Sequence, residues 1–183
     1  MLELDKLLVI DLECTCWEHE VAGNDERQDI IEIGICLFDM QRGAVAAADS
    51  LIVRPTRSTV SPFCEKLTSI SQAMVDHGLD FQDALAILRE RFRSASYPWA
   101  SWGNFDRHVL MQQCRDFGLD YPMSADHLNL KTLYALRMGL PKAIGLYPAV
   151  KRSGLQWEGR HHRGVDDARN TARLLACIFA RAG

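Results

Sequence analysis

Hydrophobic positions in the first third of the chain crowd into three runs, Leu7 to Leu12, Ile30 to Phe38 and Ala44 to Val53. Apolar stretches of this length, bounded by polar and turn-forming residues, predict strands. Gln41-Arg42-Gly43 is a turn short enough to make the second and third runs an antiparallel hairpin, and the three together a meander. The polar residues 14–29 and the stretch from Pro55 to Pro62 are connecting loops.

From Phe63 the apolar spacing becomes helical. Ser71 caps a short helix closed by Gly78, and Asp80 caps the next, whose stripe is Phe81, Ala84, Leu85, Leu88 and Phe92. Tyr97 to Gly103 predicts a fourth strand, feeding a helix from Phe105 to Phe117 that Gly118 stops. His127 to Lys131 predicts a short edge strand before a helix ending at Met138, and Gly145 to Ser153 a further short helix. After the polar loop Gln156 to Arg163, the last helix runs from Gly164 to Ala182 with Val165, Ala168, Ala172, Leu175 and Phe179 on its apolar side. Strands followed by helices move the class from all-β to α/β. With no repeat and no linker, the 183 residues predict one domain, 1–183, long enough to bury a core without staples.

Composition changes this picture little: 48% hydrophobic and 25% charged residues are ordinary for a globular protein. The acidic start and the lack of a long apolar run predict a cytoplasmic protein without membrane association. Its six cysteines are then reduced thiols, and the close pair Cys14 and Cys16 has no second pair with which to build a zinc site. A net charge of −3 argues against a salt-driven grip on a long nucleic acid. A short piece of strand could still be held at a face whose acids carry divalent cations.

The candidate chemistry starts at the end of the first strand. Side chains there alternate, so Asp11 and Glu13 share one face while Leu12 takes the other. Two neighbouring carboxylates on a buried strand either fray into water or hold a cation. Asp106 stands in the first turn of a helix just past the fourth strand, where it reads either as an acid favoured by the helix dipole or as a site residue. The last helix opens with His161-His162-Arg163-Gly164-Val165-Asp166-Asp167. Asp166 shares its side with Arg169, Asn170 and Arg173, a solvated face, whereas Asp167 shares its side with Thr171, Leu174 and Ile178 and faces inward. An inward carboxylate needs a partner. Glu32, inside an apolar strand, is either a support for such a site or a solvated edge residue. Lys131, Lys151, Arg152, Arg160 and Arg163 are either solvated surface or phosphate contacts.

Taken together, Asp11, Glu13, Asp106, Asp167 and a His five residues before the last acid resemble the DEDDh group of 3′-to-5′ exonucleases. Asp11-Leu12-Glu13 with Thr15 resembles the first motif, Asn104-Phe105-Asp106 the second, and His162 through Asp167-Ala168 the third. Glu13-Cys14-Thr15-Cys16-Trp17, Ser61 through Ile70, Asn129-Leu130-Lys131 and His162 through Asp167 are similar to the branch that trims histone mRNA and small RNAs. Ser69 departs from that branch, which commonly has Gly there, and the accessory nucleic-acid module of the members that bind a defined RNA structure is not expected within these 183 residues.

The resemblance implies an RNase H-like α/β fold: a mixed sheet, antiparallel meander plus parallel strands, with helices on both faces. It implies that Asp11, Glu13, Asp106 and Asp167 hold two Mg²⁺ or Mn²⁺ ions, Asp11 bridging them, and that His162 is the general base. It also implies that backbone groups of Cys14 and Thr15 meet the terminal ribose and that Phe63, Leu67 and Phe105 line the base pocket; core packing is the competing reading of Phe63 and Leu67. The expected partner is the 3′ end of a single-stranded nucleic acid, RNA before DNA, and a homodimer is compatible with the group. A DNA proofreading subunit and a module that holds an end without cutting are the rival functions.

Overall fold

The computed structural model describes residues 2–18 and 27–179. Its strands are β1 (Lys6–Cys14), β2 (Ile30–Asp39), β3 (Ala44–Ile52), β4 (Trp99–Ser101) and β5 (His127–Asn129). Its helices are α1 (Pro62–Thr68), α2 (Gln72–Asp76), α3 (Phe81–Glu90), α4 (Phe105–Asp116), α5 (Leu130–Arg137), α6 (Leu146–Arg152) and α7 (Gly164–Phe179). The strands form one sheet in the order β3-β2-β1-β4-β5. The first three are antiparallel neighbours, and β4 and β5 add in parallel beside β1, so the expected mixed sheet forms. No described helix is long and apolar enough to cross a membrane.

Alternation along β1 sorts the core into two layers. Leu8, Ile10, Leu12 and Cys14 face α3 and α4, packing with Leu85, Leu88, Leu110 and Cys114. Leu7 and Val9 face the other way, into a layer built from α5, α6 and α7 with Leu130, Tyr134, Val150, Ala168, Ala172 and Leu175. By the same alternation Asp11 and Glu13 continue the face covered by α7.

β2 lies across from β1 with Gly34 opposite Asp11 and Glu32 opposite Glu13. Gly34 faces the first residue of α7, and a methyl group there would come within 1.9 Å of the Gly164 carbonyl carbon. A methyl on Gly164 would in turn meet the Asp11 carbonyl oxygen at 2.9 Å and the Gly34 nitrogen at 3.0 Å. Two bare backbones are therefore what lets α7 begin directly on the sheet.

Several elements differ in extent from the sequence expectation. β4 is three residues long because the chain bends away at Trp102 and passes through Gly103 at φ +122° before entering α4. β5 stops at Asn129, whose side chain accepts from the Thr132 amide at 3.1 Å and caps α5, so Lys131 is helical. The face holding Asp166 and Asn170 is not solvated. Residues around Glu158 fold over it, and fully buried Asn170 donates to the Glu158 and Asp166 carbonyls at 2.8 Å. Phe179, assigned to the apolar stripe, is 46% exposed, and the predicted helical residues 180–182 lie outside the described residues.

Replacing Gly34 with Ala should push α7 off the sheet and cost about 1–3 kcal/mol of stability, the range for overpacking a tight site. Urea unfolding of Gly34→Ala measures this, and an unchanged midpoint would mean that the contact is not tight.

Candidate active site

Three elements deliver the acids. β1 presents Asp11 and Glu13, and its pairing with β2 slips one residue between Glu13 and Cys14. Such a bulge kinks a strand end and re-aims its side chains. α7, seated on Gly34, brings Asp167 down over the same face, and oxygens of Asp11, Glu13 and Asp167 lie within 4.8 Å of one another. Glu13 and Asp167 are buried, at 9% and 6% exposure.

Asp106 arrives from the other layer. β4 pairs with β1 only at Leu8 and Val9, so at Leu12 the edge of β1 is open. Asp106, buried in the first turn of α4, accepts from that Leu12 amide at 2.9 Å. This anchors it to the backbone of β1 at the residue between Asp11 and Glu13, while it keeps its place in the first turn of α4.

Charge crowding shows in the proton affinities. Burial, followed by the charges of Asp106, Asp167, Glu13 and Glu32, holds Asp11 well above the usual carboxylate range. Burial and the same neighbours push Glu13 up to about 8, partly offset by Arg163. Burial raises Asp167 to about 7 although the His162 amide donates to it. Burial raises Asp106 to about 6 against the opposing donation from Leu12. Four carboxylates cannot all be ionised here at neutral pH without a counter-charge.

The donors fit divalent cations. Asp167 Oδ1 is buried with no hydrogen-bond partner, an arrangement that is costly unless something outside the chain occupies it. A set of hard carboxylate oxygens suits Mg²⁺ or Mn²⁺.

Glu32 is fully buried and is not a solvated edge residue. It accepts from the Gly164 amide at 2.9 Å, from Arg163 Nε at 3.1 Å and from Ser50 Oγ at 2.5 Å. It thus ties β2 and β3 to the start of α7, and it holds Arg163 away from service as a free phosphate contact. Its signal in the sequence was one acid in an unbroken apolar run.

His162 has φ +63°, in the left-handed region. Successive side chains on extended backbone diverge; this turn brings the rings of His161 and His162 within 4.0 Å. Burial holds both imidazoles below their usual proton affinity, so they are neutral at pH 7. His161 Nε2 stands 3.9 Å from Asp167 Oδ2.

The proposed pocket residues divide. Ser61 Oγ donates to the Cys16 carbonyl at 2.6 Å and caps α1, pinning that helix beside the chain leaving β1. Phe63 is 36% exposed and, with Pro62, Lys66, Leu67 and Glu18, lines an open pocket, so Phe63 and Leu67 are not core residues. Phe105 is 52% exposed at the start of α4. Thr15 is engaged within the fold. Its amide donates to the Asp29 carbonyl at 2.9 Å, its hydroxyl accepts from the Asp29 amide at 2.9 Å, and the residue is fully buried. The Thr15 amide and hydroxyl thus hold the loop together. Cys14 is buried too, its carbonyl facing Cys64 Sγ at 3.5 Å. Asp29, which also accepts from Arg57 Nε at 2.6 Å, is a buried anchor that the loop composition did not reveal.

Comparison with known proteins matches residues 8–175 to the sequence model of the exonuclease family. Human "ERI1 exoribonuclease 2" is 31% identical over 98% of this chain, which spans 29% of that protein's length. The "Probable 3'-5' exonuclease KapD" of Bacillus subtilis is 28% identical over 95% of this chain and 84% of its own length. Among solved structures, the nuclease domain of 3'hExo, a DEDDh family member bound to rAMP, superposes with a TM-score of 0.84 at 27% identity, covering 95% of this chain and 91% of that one.

The raised carboxylates fix the sign of a pH effect. The folded acids keep protons that the unfolded chain, with carboxyl pKa values of about 4, has lost. The folded state therefore binds more protons between about pH 4 and about pH 8, and stability falls as pH rises through that window when divalent cations are absent. Melting curves in chelator should fall across it more steeply for the wild type than for Glu13→Gln, and Mg²⁺ or Mn²⁺ should raise Tm more at about pH 8 than at about pH 5. Equal slopes for the two proteins would mean that the cluster is not crowded.

Proposed function

The chain belongs to the exonuclease family, in its DEDDh, ERI1-type branch, and from that premise we propose that it removes nucleotides one at a time from the 3′ end of single-stranded RNA. The observation that carries the reading is the meeting of Asp11, Glu13 and Asp167 around a buried, unpartnered Asp167 oxygen, with neutral imidazole beside it. The RNA preference rests on relatives named as exoribonucleases and on the rAMP held by the 3'hExo domain.

Asp11, Glu13, Asp106 and Asp167 are the residues that would hold two divalent cations; when bound, these neutralise the phosphate and the leaving oxygen and lower the pKa of water. Asp11 is central because all the other acids act on it. Asp106 is kept in place by the Leu12 amide, and Asp167 by the Gly34–Gly164 contact and by Glu32. His162 takes the proton of the attacking water. Its ring is neutral at pH 7 and lies in a half-exposed loop, so it can accept the proton and pass it to solvent. Phe63 and Leu67, which line one open pocket, and exposed Phe105 at the start of α4 are the apolar side chains offered to the terminal base, and stacking of this kind is indifferent to base identity.

A 5′-labelled single-stranded RNA incubated with Mn²⁺ should shorten from its 3′ end and release nucleoside 5′-monophosphates, and chelator should stop this. Binding without shortening would sink the enzyme reading, and cleavage of a circular RNA would replace it with an endonuclease. His162→Ala should lose about 10²–10⁴-fold in turnover, the usual worth of a general base, while binding Mn²⁺ as the wild type does. Phe63→Ala and Phe105→Ala should each weaken oligonucleotide binding by about 1–3 kcal/mol with little change in turnover of bound substrate; wild-type KM in both variants would remove them from the pocket.

A further inference from the structure

The paired histidines at the start of α7 have a geometry that the proposed hydrolysis does not use. Only one general base is needed, yet His161, His162 and Asp167 offer ligand atoms that all lie within 4.8 Å of one another. We propose that these three side chains form a capture site for Zn²⁺, sharing Asp167 with the hard-cation cluster and switching the nuclease off when filled.

The backbone is set up for this. The turn at His161-His162 places one non-glycine residue in the left-handed region, a conformation that persists only where the surroundings hold it. Its effect is to turn two consecutive imidazoles, which extended chain would point apart, to the same side of the loop with ring centres 4.0 Å apart. His161 is then buttressed from outside. Trp157 meets its ring edge-on, at 4.9 Å and 88°, and Tyr147 lies 5.8 Å away. On the inner side the buried Asp167 Oδ1 has no hydrogen-bond partner, and Oδ2 stands 3.9 Å from His161 Nε2.

Donor type selects the metal. Two imidazole nitrogens and one carboxylate oxygen suit Zn²⁺ far better than Mg²⁺, which keeps to oxygen. Zn–N bonds of about 2.0–2.1 Å put tetrahedral ligands about 3.3 Å apart, so small rotations of two half-exposed rings close the site. Three protein ligands leave one position for water. A filled site would occupy the nitrogen of His162 that must accept a proton and an oxygen of Asp167 that the hard cations need, hence inhibition. The inhibitory half of the proposal rests on the exonuclease reading; the binding half does not.

The test measures metal binding directly. Isothermal titration of the whole chain with Zn²⁺, in a background of Mg²⁺ that fills the carboxylate cluster, should show one site. His161→Gln should weaken it at least about tenfold, the floor set by loss of even an outer partner of a metal-bound imidazole. X-ray absorption at the zinc edge of the wild type should show two imidazole ligands. In a parallel RNA assay with Mg²⁺, His161→Gln should keep wild-type activity and require at least about ten times more Zn²⁺ for half-inhibition. Equal Zn²⁺ affinity in the two proteins, or an absorption spectrum with no imidazole, overturns the site. Tight binding without inhibition of an active enzyme overturns the switch. An inactive wild type with an intact zinc isotherm counts against the exonuclease reading and leaves the site standing.

Discussion

Two glycines in contact, Gly34 on the second strand and Gly164 at the first turn of the last helix, set the distance between the sheet and α7. The approach of Asp167 to the acids of β1 depends on that distance. Asp11 lies directly across from Gly34 in the ladder, and Asp167 lies one helical turn beyond Gly164. With any side chain at either position, the helix would stand farther off and Asp167 would leave the reach of Asp11 and Glu13. Glu32 completes the joint by accepting from the Gly164 amide. A buried carboxylate on a helix N-terminus is favoured by the dipole as well as by the hydrogen bond, so this anchor holds without needing an apolar side chain at the contact.

The same closeness has an energetic cost. Bringing acids together in a buried place raises their proton affinity, which reduces their charge and so limits the repulsion. Arg163 partly relieves Glu13, but its guanidinium is committed to Glu32. The described chain thus supplies a negatively loaded cradle with its structural cation already in use and one carboxylate oxygen unanswered. Function and stability pull in opposite directions here, and divalent cations bound as proposed would reconcile them.

The parts legible in the sequence were those governed by periodicity. The two-residue repeat of β1 put Asp11 and Glu13 on one face, and the helical repeat of α7 separated inward Asp167 from Asp166; both assignments depend only on local geometry. What could not be read locally was cover supplied from elsewhere in the chain. Asn170 looked solvated because the loop around Glu158 that buries it has no periodic signal. Thr15 looked available because its partner Asp29 lies on the far side of a loop. Glu32 remained ambiguous between support and surface until the position of Gly164 was known. Asp106 could not be assigned from its own helix, since what places it is an unpaired amide on β1, left open because β4 ends early.

That early end of β4 also bears on why an end, rather than the middle of a strand, is the reading for the substrate. The acids sit where the sheet stops on the β4 side and where two helices begin, α1 with Phe63 and α4 with Phe105. Both aromatic rings are exposed, Phe105 directly beside Asp106 in the chain, and the hydroxyls of Thr15 and Ser61 are spent inside the fold. Exposed rings of this kind offer faces for stacking. Recognition by stacking works on a base that has no neighbour on one side, which is the situation of a terminal nucleotide and not of one within a continuous stack.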